Sequence, residues 1–293
     1  MYFAVDIPNQ AVVLQAVTTL IKSSKSASPW FALVDTSFDY GEATLKWYES
    51  KWPIYYLHEF EPLSNASPTL FMLTINDAET LKRQLRKILK HCAGRPMLSF
   101  IQSATSAEKI REYWQSSLVP ITEDGQRMLL RFADTRICET LPASLLPSSW
   151  ARFTTTLEQW LIIDRTGALK PLQLAPSNQQ FEALPVWKLT PEEFNALLMN
   201  AQPDALVDAL AEHFTELVPE LKRANFYQTI SEVCALAEKH QIEAFPEVMS
   251  LALAIISSET PIQHDVKLNN WLAAHVWKKG EFDDALIQFV EGI

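Results

Sequence analysis

Glycine is scarce in this sequence, and that scarcity excludes two common kinds of phosphate-binding loop. Only six of the 293 residues are glycine, and the closest two are twelve positions apart. The dinucleotide-binding and P-loop motifs both need glycines within about six positions, because the backbone must come close to the phosphates. Neither motif can occur here, and the sequence predicts no cofactor.

Cysteine is scarce as well. The three cysteines, Cys92, Cys138 and Cys234, lie far apart, and none belongs to a CxxC pair. Zinc knuckles and disulfide frameworks need closely spaced or paired cysteines. We therefore expect no metal site and no disulfide, and this cysteine usage is typical of a protein in the reducing cytoplasm.

Long apolar runs are also missing. The longest, around residues 248–256, has about nine residues, whereas a membrane-spanning helix needs about twenty. The first ten residues, MYFAVDIPNQ, lack the basic segment with which a signal peptide begins. We expect no membrane insertion and no export signal.

Positive charge is sparse in the C-terminal part of the chain. Residues 1–175 hold 18 Lys and Arg against 17 Asp and Glu, whereas residues 176–293 hold 7 against 18. Prolines cluster where this balance changes, between positions 171 and 191. The two features predict two domains, 1–175 and 176–293. The acidic pI of about 5.1 argues against a nucleic-acid partner.

The first of these domains alternates between patterns typical of strands and of helices. Runs typical of strands occur at 30–37, 54–60, 69–75, 96–101, 127–132 and 158–163. Helices are indicated between them, at 9–22, 40–50, 77–92, 106–116 and 134–141. We predict an α+β domain, α/β-like in its alternation, with a mixed sheet flanked by helices.

The second domain has helical periodicity almost throughout and is predicted to be an all-α lobe. The segment 244–257, AFPEVMSLALAIIS, is apolar nearly all round, which places it at the centre of a bundle. The abundance of Trp, Phe and Met also suits a groove that receives an apolar helix of a partner.

Chemical motifs are weak along the whole chain. The cluster HEFE (58–61) is not a zinc motif, because on a strand His58 would face away from Glu59 and Glu61. GxSxG is missing, so a nucleophile elbow is excluded. The basic residues at 82–90 are typical of a solvated helix face, and docking of an acidic partner is the alternative.

The stretch RMLLRFADTRICETL (127–141) joins a predicted strand to a predicted helix through clustered charges. Asp134 stands where its carboxylate can cap the first turn of the helix, and Arg131 or Arg136 can pair with it. This structural interpretation needs no catalysis. The alternative is an active site at a strand end, in an uncharacterised hydrolase or transferase that uses Arg131, Asp134 and Arg136.

Several motifs, in order, resemble a known family. These are PWFALVDTSFD (29–39), GRPMLSFIQS (94–103), LLRFADTRICETLPASL (129–145) and EQWLIIDRTGALKPL (158–172). Together they resemble the type VI secretion effector chaperones or adaptors, catalogued as domain of unknown function 4123, over about residues 30–172. Thr36 departs from the small residue, often Gly, that is usual in this family. Thr135 departs from the usual Pro, and the region between the second and third strands is shortened.

The resemblance carries over to six positions, which it implies are structural signature residues: Asp35, Arg131, Phe132, Asp134, Arg136 and Trp160. It implies a non-enzymatic, cytoplasmic protein that binds a toxic effector, often near the effector's N-terminal region. Such a protein keeps the effector soluble and helps to load it onto the spike protein of the secretion machine.

Partner contacts are expected in the helical lobe. Four aromatic residues recur there near the C-terminus, and we predict that they include contacts to the effector: Trp271, Trp277, Phe282 and Phe289. A helical scaffold unrelated to secretion remains a further alternative.

Overall fold

The computed structural model describes residues 2–39, 44–176, 186–258, 262–278 and 280–291. The chain divides into two compact units. We call Val5–Asn200 the sheet unit, and Met1–Ala4 together with Ala201–Ile293 the helical unit.

The sheet unit is built around six strands: β1 (Trp30–Asp35), β2 (Lys51–Pro53), β3 (Pro68–Met72), β4 (Leu98–Gln102), β5 (Gln159–Ile163) and β6 (Leu169–Pro171). Their order across the sheet is β2-β3-β1-β4-β5-β6. Each neighbouring pair is antiparallel, with Leu33 of β1 opposite Leu70 and Ser99. The α+β class is confirmed, and the sheet is antiparallel throughout where a mixed one was predicted.

Helices cover both faces of this sheet. Alternate residues of β1 point to opposite faces, so that Phe31 and Leu33 lie in one core and Ala32 and Val34 in another. The first core holds buried residues of α3 (Ala107–Gln115), α4 (Thr135–Ser144) and α5 (Pro147–Thr154). The second holds those of α1 (Gln10–Ser23) and α2 (Ala78–Cys92). Because both faces are covered, β1 and β4 are buried along their whole length.

Local capping explains where several of these helices begin. Asn9, Asp77, Ser106 and Asp134 are the N-caps of α1, α2, α3 and α4, and each side chain accepts a hydrogen bond from a backbone N–H of the first turn. These short-range bonds need only neighbouring residues, and the four helices accordingly lie where the sequence predicts them.

Two predicted strands are wrong. Residues 127–132 form no ladder, but Met128 and Leu130 donate backbone hydrogen bonds to the carbonyls of Pro120 and Leu118. This segment therefore lies beside 118–121 and outside the sheet. At 54–60, sheet pairing stops after Ile54, and a 3₁₀ helix follows at His58–Ala66.

The helix predicted at 40–50 is also wrong over its described part. Residues 44–50 are not helical and lead into β2, while 40–43 lie outside the described residues.

The boundary between the units differs from the one at 175/176. Trp187 and Leu189 are buried in the core of the sheet unit, and Phe194 packs against it. Backbone bonds join Ile121 to Trp187 and Leu189, at 2.9 Å each. The sheet unit therefore extends past the proline-rich segment to Asn200, within α6 (Pro191–His213).

The helical unit contains α7 (Arg223–Lys239), α8 (Phe245–Ile256), α9 (Val266–Ala274), α10 (Phe282–Glu291) and the C-terminal part of α6. Its core joins buried residues of all five helices, including Leu210, Ile230, Leu251, Leu268 and Leu286. Helical character is as predicted. Within the described ranges, no helix is both long and apolar enough to cross a membrane.

Candidate functional site

Asp35 ends β1 and is almost completely buried, with 2% of its surface exposed. Its Oδ1 accepts hydrogen bonds from the Ser37 backbone N–H at 3.1 Å and from the Ser37 hydroxyl at 2.7 Å. Its Oδ2 accepts one from Nη2 of Arg131 at 3.0 Å. The strand end is thus tied both to its own following turn and to a residue far along the chain.

Asp134 is a second buried carboxylate, with 0% of its surface exposed. It caps α4 by accepting the Arg136 backbone N–H at 3.0 Å. The Arg136 guanidinium also donates to both carboxylate oxygens, Nε to Oδ1 at 3.1 Å and Nη2 to Oδ2 at 2.8 Å. This bidentate geometry is the strong form of an arginine–carboxylate pair. The cap and the pairing predicted for Asp134 are both present.

Arg131 connects the two carboxylates. Its Nη2 lies 3.0 Å from Asp35 Oδ2 and 3.8 Å from Asp134 Oδ2, and it also donates to the Ser37 hydroxyl at 2.8 Å. The Phe38 ring lies beneath its guanidinium, with 4.9 Å between the ring centroid and Cζ. We call Asp35, Ser37, Arg131, Asp134 and Arg136 the charge cluster.

Asp39, in the same turn, makes a further set of bonds that sequence reasoning missed. Nε2 of His91 lies 2.9 and 3.1 Å from its two carboxylate oxygens, and Nη1 of Arg95 donates to it at 2.9 Å. Arg95 also donates to the backbone carbonyls of Phe38 and His91. The turn after β1 is therefore held from the end of α2 as well as from the start of α4. No local pattern links Asp39 to α2, so the sequence offered no signal for it.

The two aromatic signature residues lie in the core beneath this turn. Phe132 and Trp160 have ring centroids 6.2 Å apart, and both pack against Trp114, at 4.9 and 5.8 Å. The Trp160 indole N–H donates to the Ser99 hydroxyl at 3.1 Å. Phe132, which lies between Arg131 and Asp134 in the sequence, thus connects the charge cluster to the aromatic core.

Burial shapes the electrostatics of the cluster. Desolvation raises the pKa of Asp35 above the usual value, and the nearby Arg131 charge and the Ser37 hydrogen bond offset part of that rise. Burial, together with the charge of Asp35, also raises the pKa of Tyr55. The Ser37 hydroxyl already donates to Asp35 and accepts from Arg131, so this arrangement stabilises a turn and does not present an activated nucleophile.

A cavity of about 820 Å³ borders the turn that follows β1. Its described lining includes Thr36, Ser37, Asp39 and Lys51. Two of these side chains are occupied elsewhere, because Ser37 is bonded within the charge cluster and Asp39 to His91 and Arg95.

In the helical unit, the four predicted contact residues form one aromatic cluster. Trp271 stacks on Phe289 and lies beside Trp277, at 4.9 Å in both cases, and Phe282 lies 5.0 Å from Trp277. Phe282 is only 1% exposed, so it packs α10 against α9 and has little surface left for a partner. Trp271, Trp277 and Phe289 remain partly exposed.

Among the described residues, no three His, Cys, Asp or Glu side chains are placed together so that they could hold a metal ion. The three cysteines are free and buried. Burial raises the pKa of all three thiols, that of Cys234 to about 11.

Comparison with known families gives one match. Residues 30–152, from β1 into α5, match the family described as Domain of unknown function (DUF4123). The comparisons with curated proteins and with solved structures returned no match. The matched range contains Asp35, Arg131, Asp134 and Arg136 but ends before Trp160. The stretch that builds the charge cluster is therefore the part of the chain that resembles the DUF4123 family.

Proposed function

We propose that this protein is a non-enzymatic chaperone and adaptor of type VI secretion. In this proposal it binds an effector in the cytoplasm, near the effector's N-terminal region, stabilises it and helps to load it onto the spike protein. The description of the matched family carries no function. The secretion role rests on the resemblance of the ordered motifs to the effector chaperones, and the family match covers most of those motifs.

The observation that carries the non-enzymatic part is the way the charge cluster is bonded. Each carboxylate in it is buried and paired with an arginine of the same cluster, through Asp35–Arg131 and Asp134–Arg136. A general base or nucleophile must reach its substrate, whereas these groups reach one another. The cluster therefore supports an architectural role and disfavours the hydrolase or transferase alternative.

The partner surface is assigned to the helical unit. Trp271, Trp277 and Phe289 keep part of their ring surface exposed, and large amphipathic rings are typical anchors of protein interfaces. Phe282 is left out of this assignment because it is buried.

Deletion of the gene in the native host tests the function. We expect the level and secretion of one effector to fall, while other effectors of the same machine are unaffected, and a plasmid copy of the gene to restore both. Purification of the tagged protein from the same host should recover that effector and the spike protein. Normal effector level and secretion after deletion would refute the proposal.

The enzyme alternative needs its own control. An Arg131→Ala protein that stays folded and loses a measurable turnover on a candidate substrate would favour an enzyme. We expect this variant to lose stability instead, with no turnover present in the wild type.

A further inference from the structure

Helix α8 has one fully buried stripe and, beside it, a second stripe of small and apolar residues that is less buried. Val248, Leu251, Ala252 and Ile255 are buried in the core of the helical unit. A second stripe, at spacings of three and four, lies on another face: Ser250, Leu253, Ala254 and Ser257. The sequence placed this helix at the centre of a bundle. In the structure the second stripe is partly accessible, because Leu253 and Ala254 are only partly buried and Ser257 is exposed.

Helix α10 supplies a matching stripe. Phe282 and Leu286 point into the core and are buried. Asp283, Ile287 and Val290 lie on a different face, and Ile287 and Val290 are 55% and 36% exposed. Ile287 and Val290 thus form an exposed apolar pair on one face of α10.

The two stripes border one groove. Its volume is about 330 Å³, and its lining is formed by the second stripe of α8 with Asp283, Leu286, Ile287 and Val290 of α10. Two serines and an alanine on the α8 side allow the backbone of another helix to come close. A groove of this shape is typical of sites that receive the apolar face of an amphipathic helix.

The charged residues within α8 and α10 are acidic. Glu247 lies in α8, Asp283 and Asp284 lie in α10, and the lysines nearest in sequence, Lys278 and Lys279, come before α10 begins. Asp283 lies in the groove lining itself. Electrostatic complementarity therefore favours an occupant whose polar face is basic.

The edges of the sheet offer a less suitable site for an extended peptide. The edge strands, β2 and β6, have three residues each and end in Pro53 and Pro171. Short edges with proline and lysine resist pairing with another strand. Among the described surfaces, the groove is thus better suited to an added helix than the sheet is to an added strand.

We infer that the α8–α10 groove binds a basic amphipathic helix of the effector. This inference rests on the proposed function, since it names the part of the partner that the helical unit holds. The apolar face of the bound helix covers Leu253, Ile287 and Val290. The Lys or Arg residues of the bound helix lie near Asp283 of the groove lining.

The test uses the full chain and two fluorescein-labelled peptides of about 15 residues. Both peptides carry the same leucine and alanine face, and their remaining positions are lysine in one and glutamate in the other. We expect the lysine peptide to bind with a Kd of roughly micromolar order in fluorescence anisotropy, and the glutamate peptide to bind at least about tenfold more weakly. Equal binding of the two peptides, or binding of neither, would overturn the inference.

The variant Ile287→Glu distinguishes binding of the peptide in the groove from non-specific electrostatic attraction. It adds a negative charge, so non-specific attraction of the lysine peptide would become stronger, whereas loss of the apolar contact should weaken binding at least about tenfold. Val290→Glu is a second variant with the same expectation. Leu221→Glu is the matched control, because Leu221 is 81% exposed in the same unit and lies outside the groove lining. Tighter or unchanged binding by Ile287→Glu would refute the groove.

Purification of the same variants from the native host separates this inference from the proposed function. If wild type and Ile287→Glu recover the effector equally, the groove is refuted and the adaptor function stands. If the lysine peptide binds but the wild type recovers no effector, the groove stands and the adaptor function is refuted.

Discussion

Asp35 and Arg131 lie 96 positions apart in the sequence, and the Asp35 carboxylate accepts a hydrogen bond from the Arg131 guanidinium at 3.0 Å. The bond joins the end of β1 to the segment that leads into α4. Two motifs that are separate along the chain therefore form one structural joint. That joint explains why an aspartate at a strand end and an arginine before a helix occur together.

Removal of Arg131 should destabilise the sheet unit. Arg131→Ala leaves the buried Asp35 carboxylate without its guanidinium partner, and we expect a loss of about 2–3 kcal/mol in the free energy of unfolding, measured with urea. Arg127→Ala is the control, because Arg127 forms an exposed ion pair with Glu59 at 3.3 Å and should change stability by less than about 1 kcal/mol. Similar small losses in both variants would contradict the role of the joint.

Removal of Asp134 should cost more than removal of an ordinary cap. Asp134→Ala deletes the cap of α4 and leaves the Arg136 guanidinium without its carboxylate, so we expect a loss of about 3–5 kcal/mol or failure to fold. Asp77→Ala deletes the cap of α2, whose side chain is exposed, and should have a clearly smaller effect. The midpoint temperatures of thermal unfolding of the two variants show which substitution destabilises the protein more. An equal effect would mean that the Arg136 pairing contributes nothing.

Asp35 should make an unusual contribution to the pH dependence of stability. Burial raises its pKa in the folded protein above the usual 3.8, so the folded state holds this proton more tightly than the unfolded state does. The contribution of Asp35 is therefore fully present below pH 3.8, and it is lost as the pH rises from there through the folded-state pKa.

The comparison of wild type with Asp35→Asn isolates this effect, because the amide does not titrate. We expect the free energy of unfolding of the wild type, relative to the variant, to fall as the pH rises from 3.8. A difference that grows with pH would mean that attraction to Arg131 outweighs the cost of burial.

The three thiols should be inert in the folded protein. Cys92, Cys138 and Cys234 are buried, and burial raises the pKa of each, which lowers the fraction of reactive thiolate. We expect slow reaction with a disulfide reagent near pH 8 and rapid reaction of all three in denaturant. A cysteine introduced by Ser148→Cys, at an exposed position, should react at once in the folded protein and serves as the control.

Substitutions of Phe282 and Trp277 should have different effects, the first on stability and the second on partner binding. Phe282→Ala removes a buried ring from the helical core and should lower stability by about 3–5 kcal/mol. Trp277→Ala removes a partly exposed ring, and we expect a folded protein that recovers less effector from the native host. Unchanged recovery would remove Trp277 from the partner surface.

Local features of the fold were predictable from the sequence because they depend on residues within a few positions of one another. The helices α1, α2, α3 and α4 begin next to capping side chains, and the apolar stripe of α2 was readable from its spacing. The strands β1, β3, β4 and β5 are dense in apolar residues because both faces of the sheet are covered.

The strand predictions were wrong at two segments where the hydrogen-bonding partner of the backbone decides whether a strand forms. Residues 127–132 have the composition of a strand, but their backbone bonds go to 118–120 and not to the sheet. Residues 54–60 also look extended, yet the chain leaves the sheet at Ile54 and turns into a 3₁₀ helix. Apolar residues in both segments stay exposed, with Leu129 at 37% and Leu57 at 40%, and composition alone does not select a pairing partner.

For the charge cluster, the sequence by itself determined that Asp134 caps a helix and pairs with a neighbouring arginine, because those bonds span two residues. It also predicted a strand over 30–37, which in the structure ends at Asp35. Only the tertiary structure decided that Arg131 turns toward Asp35, that Asp39 is held by His91 and Arg95, and that one stripe of α8 borders a groove beside α10. These outcomes depend on which elements come together in space, and a local pattern carries no information about partners dozens of residues away.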